Sequence, residues 1–266
     1  MTVAPFGRRL APLVENKEVG AYRLLIVRDD AGPDDPQPGQ FYMLAAEERW
    51  GAGESERPYL PRAFSFARAR EGQLSFLLED IGPGTHRLAE LEPGENLWLT
   101  GPLGIGFDPP GARPILVGGG IGAAPLLCLQ DELGPEARVL LGFRSAEHAE
   151  AASLFAGEPA IATDDGSVGR HALVTELLRE ELDLRTADCG LRTVVYACGP
   201  PPMLEAVRAL CEEHDVPAQL ALESGMACGF GACFGCVVPT KNGYIRLCVD
   251  GPVLDAAELT TALAPH

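Results

Sequence analysis

Over roughly the first 108 residues, hydrophobic and polar positions alternate in short runs broken by glycine and proline. The runs 22–28, 40–46, 63–68, 73–79 and 95–100 read as strands, and the turn-rich stretches 31–39 and 82–84 punctuate them. Many short strands with turn signals predict a small antiparallel barrel. The polar, glycine-rich stretch 47–61 predicts a loop. Near Arg113 the period changes. An apolar strand at 114–117 ends in Gly118-Gly119-Gly120, and 123–133 reads as a helix. Strands follow at 138–143, 160–163 and 193–197, with helices at 173–180 and 201–214. This alternation predicts a parallel sheet with crossover helices. After about residue 218, glycine and cysteine dominate 225–236 and a short strand pair follows. The expected fold class is a multidomain α+β and α/β chain: an antiparallel β-barrel over 1–108, a parallel-sheet α/β domain over 109–218 and a small C-terminal module over 219–266.

Composition narrows the function classes. A length of 266 residues and 46% hydrophobic content suit two compact domains and an appendage. The formal net charge of −17 repels phosphate backbones and anionic membranes, so no nucleic-acid partner is expected. No apolar run reaches the roughly 18 residues of a membrane span. Arg8 and Arg9 are not followed by an apolar core of the secretory kind, so a cytoplasmic chain is expected. In a reducing compartment the eight cysteines are thiols, not disulfides.

Four of those cysteines, Cys228, Cys233, Cys236 and Cys248, follow the pattern C-x4-C-x2-C-x11-C. That spacing is the plant-type arrangement for a [2Fe–2S] cluster. Three thiolates come from one tight loop, and Gly229, Gly231 and Gly235 let its backbone take φ > 0 and approach the cluster. The fourth is expected on a strand over 244–249. A structural zinc site is the alternative, but zinc loops favour paired C-x2-C knuckles and only Cys233/Cys236 form one. Electrons leaving a cluster here would exit near Phe230 and Phe234. Cys128, Cys189 and Cys211 are read as inert, and no histidine is given a role.

Gly118-Gly119-Gly120-Ile121-Gly122 follows a strand and opens a helix, a place where backbone N–H groups can face a pyrophosphate. Tight strand-to-helix packing explains the same glycines. Cys198-Gly199-Pro200, with Met203 behind it, ends another strand where open α/β sheets bind ligands. Cys198 also fits a core thiol. Arg144 fits either a 2′-phosphate ligand or a solvated loop arginine. In the first unit, Arg62 can pair with a flavin dinucleotide's pyrophosphate as a planar fork, and the Ser65 hydroxyl can meet the ring edge. Gly84 and Thr85 precede an expected helix at 86–91 with Thr85 as its cap. Ordinary strand and turn residues are the alternative at each of these positions.

Together, Arg62–Ser65, Gly84-Thr85, the glycine turn, Cys198–Pro200 with Met203, the cysteine loop and the tail Cys248-Val249-Asp250-Gly251-Pro252 occur in one order. In that order they resemble the ferredoxin–NADP reductase superfamily, and within it the electron-transfer subunits of class 1B dihydroorotate dehydrogenases. The resemblance implies an FAD-binding barrel, an NAD-binding domain and a [2Fe–2S] module. It implies NADH rather than NADPH, and flavin contacts from Ala63, Phe64, Leu77, Leu78 and Glu79. It also implies an FMN-containing catalytic partner that oxidises dihydroorotate in pyrimidine biosynthesis, in a heterotetramer. Hydride then passes between nicotinamide and flavin, and single electrons pass through the cluster, with positioning rather than acid–base chemistry carrying the step. The sequence departs from the family at Ala63, where proline is common, and at Leu78-Glu79, where an aromatic and arginine are common. Two other readings stand beside this one. The first is a subunit of an NADH-dependent ferredoxin–NADP reductase or sulfide dehydrogenase complex, where an Asp can replace one cluster ligand. The second is a non-redox, zinc-stabilised binding protein.

Overall fold

A computed structural model describes residues 7–51, 58–109, 113–185 and 193–263. Cys189 and part of the expected loop at 47–61 lie outside the described residues. The first unit is antiparallel throughout. It comprises β1 (Arg9–Val19), β2 (Tyr22–Arg28), β3 (Phe41–Ala46), β4 (Arg62–Ser65), β5 (Arg68–Arg70), β6 (Gln73–Glu79), α1 (Pro83–Ala89) and β7 (Asn96–Leu103). The strand order is β4-β3-β7-β1-β2-β6-β5. Its two end strands are neighbours in sequence, so the sheet rolls towards closure and shields its edges. Tyr42, fully buried, meets Phe66 and Phe76 edge-on at 6.0 and 5.6 Å inside it. β1 escapes sequence reading. Pro12 argues against a strand, and β1 pairs β7 over Arg9–Pro12 and then β2 from Leu13 on, with a register shift between Leu13 and Glu15.

The second sheet begins with β8 (Arg113–Gly119), α2 (Ala123–Leu133), β9 (Arg138–Phe143), α3 (Ala146–Ala149), β10 (Ala160–Thr163) and β11 (Arg170–His171). It continues with α4 (Val174–Arg185), β12 (Thr193–Cys198), α5 (Pro201–Glu213) and β13 (Ala218–Ala221). The C-terminal segment contains β14 (Val237–Thr240), β15 (Gly243–Arg246), α6 (Leu247–Asp250) and β16 (Val253–Asp255). The sheet order is β11-β10-β9-β8-β12-β13-β16, parallel except for the β13/β16 pair. The boundary expected between 218 and 219 therefore cuts a strand. Helix α5 is the crossover that a parallel neighbour of β12 requires, and it delivers β13 to the sheet. β16 then returns to cover the sheet's edge. β14 and β15 form a separate hairpin, the strand pair expected from the pattern.

The three segments share one apolar core. Phe41, Met43 and Leu103 of the barrel pack in the same cluster as Val117 and Val195 of the parallel sheet and Cys236, Val238 and Leu247 of the C-terminal segment. The expected ordering of barrel, parallel sheet and C-terminal cysteine module holds, with the last two interleaved.

Candidate functional site

The cysteine loop buries its thiols unevenly. Cys236 and Cys248 are buried, Cys228 is half-buried and Cys233 is exposed. Cys228 interacts with Cys233, and Cys248 with both Cys236 and Cys228. Backbone N–H groups donate to them: Gly231 to Cys248 at 3.1 Å, Gly235 to Cys233 at 3.4 Å and Cys248 to Cys236 at 3.5 Å. Desolvation pushes the Cys228 thiol up, but the N–H groups of Cys233, Phe230 and Ala232, with the Cys233 side chain, bring it down to about 6. Burial, then the neighbouring Cys236 sulfur, pushes Cys248 up to about 12. Such an electrostatic surround favours thiolate at the loop end and disfavours it in the interior until metal binds. Among the described residues no three His, Cys, Asp or Glu side chains form a single-ion site. Four thiols on one loop and the short helix after it are a donor set that could hold the two irons of a [2Fe–2S] cluster.

Gly229 takes φ +80°, and a Cβ there would stand 2.6 Å from Met43 Cγ of β3. The loop thus lies directly on the barrel. Gly231 is also left-handed, but Gly235 is not; its neighbour Phe234 takes that role with φ 56°. Cys248 lies on α6, one helical turn, not on the expected strand, because the chain turns after Arg246, whose backbone N–H is taken by Asp250 Oδ2 at 2.9 Å.

A cavity of about 270 Å³ lies where the barrel meets α2. Phe41, Ala63, Phe64, Ser65 and Leu77 form its barrel wall. Ile121, Gly122 and Cys198 form the opposite wall, and Glu223, Ser224 and Met226 close it. Burial, then the charge of Glu223, raises the Cys198 thiol well above its ordinary value, and burial raises Glu223 in turn. Glu223 is exposed and faces the cavity, so its desolvation comes from surrounding protein and not from direct packing. Arg62 lies beside the start of α1: a Cβ at Gly84 would stand 2.6 Å from Arg62 Nε. Its Nη1 donates to Leu60 O at 2.7 Å. Glycine at 84 is what lets the guanidinium lie flat there, a cradle suited to a flavin dinucleotide's pyrophosphate. Thr85 is inside α1, not its cap. Its hydroxyl accepts from the N–H groups of Ile81 and Gly82 at 3.0 and 2.9 Å, closing the helix start from within.

A second cleft, about 380 Å³, opens at the C-terminal ends of the parallel strands, where such sheets bind ligands. Gly119 and Gly120 from the turn after β8, Pro200 and Met203 from the start of α5, and Phe143 and Arg144 from the end of β9 line it. A Cβ at Gly119 would stand 2.4 Å from Met203 Sδ, so the turn needs glycine for Met203 to reach the cleft. A larger cavity, about 700 Å³, lies by Cys211, His214 and Lys241 near the opposite ends of the strands, away from these sites.

A family model described as the iron-sulfur cluster binding domain of dihydroorotate dehydrogenase B matches residues 223–260. The dihydroorotate dehydrogenase B (NAD(+)) electron transfer subunit of Caldanaerobacter subterraneus subsp. tengcongensis is 36% identical over 230 residues, covering 84% of this chain and 87% of that protein. That of Bacillus caldolyticus is 39% identical over 238 residues, covering 84% and 86%. The chain belongs to the dihydroorotate dehydrogenase B electron-transfer subunit family. A solved NADH-dependent reduced ferredoxin-NADP oxidoreductase superimposes with a TM-score of 0.76 at 21% identity, covering 96% of this chain and 91% of that one. The ferredoxin reductase of carbazole 1,9a-dioxygenase superimposes with a TM-score of 0.64 at 22% identity, covering 79% and 66%. These likenesses establish the ferredoxin-reductase-like fold expected from the sequence.

Within this family frame, the expected site residues separate by the direction each side chain faces. Ala63, Phe64, Ser65 and Leu77 line the cavity expected to be the flavin's. Leu78 does not: it is fully buried in the barrel core, because adjacent strand residues point to opposite faces. Glu79 returns to the face of Leu77 but reaches the second cleft, not the first. Of the glycine turn, Gly119 and Gly120 face the second cleft, whereas Ile121 and Gly122 face the first cavity. Gly118 faces neither; a Cβ there would meet Leu141 Cδ2 at 2.8 Å, so its glycine serves helix–sheet packing. Cys198 lines the first cavity, while Gly199 sits against Met203. Sequence reading missed Glu223, Ser224 and Met226, although they directly precede the cysteine loop. It also missed Tyr22, which only the domain interface brings to the cleft, and Asp164 and His148, the last a histidine given no role, which β10 and α3 bring there.

Proposed function

We propose that this chain carries electrons between NAD(H) and an FMN-containing dihydroorotate dehydrogenase catalytic subunit, through FAD and a [2Fe–2S] cluster, in pyrimidine biosynthesis. The observation that carries this reading is the order of the three sites. Ile121 and Gly122 line the flavin cavity one step along the turn from Gly119 and Gly120 in the dinucleotide cleft. At the other side, Met226 lines the flavin cavity two residues before Cys228. The flavin cavity therefore stands between a hydride donor's cleft and a one-electron carrier's loop. When bound, the flavin exchanges a hydride with nicotinamide and single electrons with the cluster.

The chain's own residues position and shield. Arg62 and the start of α1 hold the flavin's phosphates. Gly119, Pro200 and Met203 shape the slot through which the nicotinamide enters. The backbone N–H groups of Gly231, Gly235 and Cys248 donate to the cysteine sulfurs that would hold the cluster, and the contact of Gly229 with Met43 keeps the loop against the barrel. Phe230 and Phe234 are 50% and 63% exposed around the exposed Cys233, and Tyr244 of the adjoining hairpin is also exposed. Exposed aromatics at one edge suit a docking surface, and we assign it to the catalytic subunit, with two such pairs forming a heterotetramer. Thiols that must stay reduced to bind iron fit the cytoplasm.

The relatives at 35–39% identity favour this reading over an NADH-dependent ferredoxin–NADP reductase or sulfide dehydrogenase subunit, whose likeness here is one of fold. They also leave no support for a zinc-stabilised binding protein. The test is Cys233→Ser in the complex with its partner. NADH-to-dye activity should persist while dihydroorotate–NAD turnover is lost; full turnover in the variant would contradict the relay.

A further inference from the structure

One wall of the dinucleotide cleft comes from the barrel. Tyr22 and Glu79 are partners across the β2/β6 ladder, and both line the cleft beside Gly119 and Gly120. Glu79 Oε1 lies 3.3 Å from His148 Nε2 and 3.8 Å from Arg144 Nη1. The other ring nitrogen of His148 is 2.9 Å from Ser145 Oγ, so the ring bridges Glu79 and Ser145. Tyr22 packs edge-on against His148 at 5.7 Å, and the N–H of Ala21 donates to Glu147 O at 3.2 Å. The barrel hairpin is thus fastened to α3, and Glu79 is held in place with 22% of its side chain exposed.

The charges decide what this wall does. Arg144, at the end of β9, is 70% exposed and would attract any phosphate entering the cleft. Glu79 offsets that charge from the other domain. Asp164, at the end of β10, lines the same cleft and adds a second carboxylate. The carboxylates of Glu79 and Asp164 line the cleft against the single guanidinium of Arg144, His148 bridges Glu79 and Ser145, and Tyr22 is held uncharged by burial and by Glu79. NADP(H) differs from NAD(H) by a phosphate monoester of about −1.5 to −2 charge.

We propose that Glu79 is a specificity residue: by offsetting Arg144 from the barrel side, it makes the cleft accept NAD(H) and penalise the additional phosphate of NADP(H). The inference rests on reading this cleft as the NAD(H) site and adds the residue by which it refuses the additional phosphate. Its physical basis is Coulombic, so it depends on charge and not on shape. The sequence departure at Glu79, where the family commonly has arginine, becomes a gain of selectivity instead of a lost flavin contact.

The experiment is calorimetric titration of the flavin- and cluster-loaded protein with NAD+ and with NADP+, for wild type, Glu79→Gln, Glu79→Asp and Arg144→Gln. Glu79→Gln should move the affinity ratio towards NADP+ by roughly tenfold, the scale for removing one unit charge near a phosphate dianion in partly screened surroundings. Glu79→Asp should restore the wild-type ratio, and Arg144→Gln should move it the opposite way. A ratio unchanged in Glu79→Gln, or an equal loss of both ligands as a loosened domain contact would give, overturns the inference alone. A wild-type protein that binds neither dinucleotide overturns both the inference and the reading beneath it.

Discussion

Replacing Gly229 with alanine tests how the cluster loop is held. The residue adopts φ +80°, a conformation that costs an L-residue about 1–2 kcal/mol. The new methyl would lie 2.6 Å from Met43 Cγ, 2.9 Å from Met43 Sδ and 3.0 Å from Leu103 Cδ1. Met43 and Leu103 are themselves buried in the core shared by the three segments, so neither can swing into solvent. Overpacking of such a core costs about 1–3 kcal/mol more. The total, roughly 2–5 kcal/mol, falls on the segment between Cys228 and Cys233. Iron and acid-labile sulfide per chain should drop, and the thermal midpoint should fall by roughly 5–15 °C. Gly225→Ala is the control: nothing lies within 4 Å of a Cβ there and its backbone is not left-handed, so iron content and midpoint should stay unchanged. A Gly229→Ala protein with full iron and the wild-type midpoint would refute the claim that the loop is clamped on β3.

Three further outcomes follow from the same structure. Arg62→Ala should lower FAD affinity roughly ten- to a hundredfold, the loss of charge-assisted hydrogen bonds worth about 1.5–3 kcal/mol, read by fluorescence of released flavin. In protein stripped of iron, Cys228, brought down to about 6, should be alkylated at pH 7 ahead of Cys128 and Cys211, which burial pushes up to about 12; peptide mass mapping decides the order. Glu205 is held below the ordinary carboxylate value by Arg208, against desolvation, with help from the Ala262 N–H and the Thr261 hydroxyl. A lowered folded value means stabilisation present above the unfolded value of 4.5 and lost as pH falls through the folded one. Glu205→Gln should therefore lower the thermal midpoint at neutral pH and narrow its further fall on acidification; an unchanged acid profile would contradict the assignment.

Most strands and helices were legible because their periods are clean: 123–133 and 138–143 coincide with α2 and β9. The cysteine spacing was legible because two irons need four thiolates and three must share a loop. What stayed hidden depends on long-range pairing. β1 carries a proline and changes partners midway, so no local pattern marks it. β13 and β16 are short and acquire their sheet only through α5 and the return from the cluster loop. The site residues divide in the same way. The glycine turn was visible as a unit, but its division between two cavities follows from the turn's path between domains. Glu79 was visible as a departure; that it faces Arg144 and His148, not the flavin's phosphates, is set by strand alternation and by the docking of the β1–β2 hairpin on α3.

The most direct test of the electron path is an anaerobic NADH titration of the purified protein, followed by visible absorption, with iron and flavin assayed on the same sample. The account predicts two irons and one flavin per chain, and bleaching of both the flavin bands and the broad thiolate-to-iron absorption as NADH is added. A flavin that bleaches while the iron–thiolate absorption stands unchanged would break the path between Met226 and Cys228, and a colourless protein indifferent to NADH would contradict the account as a whole.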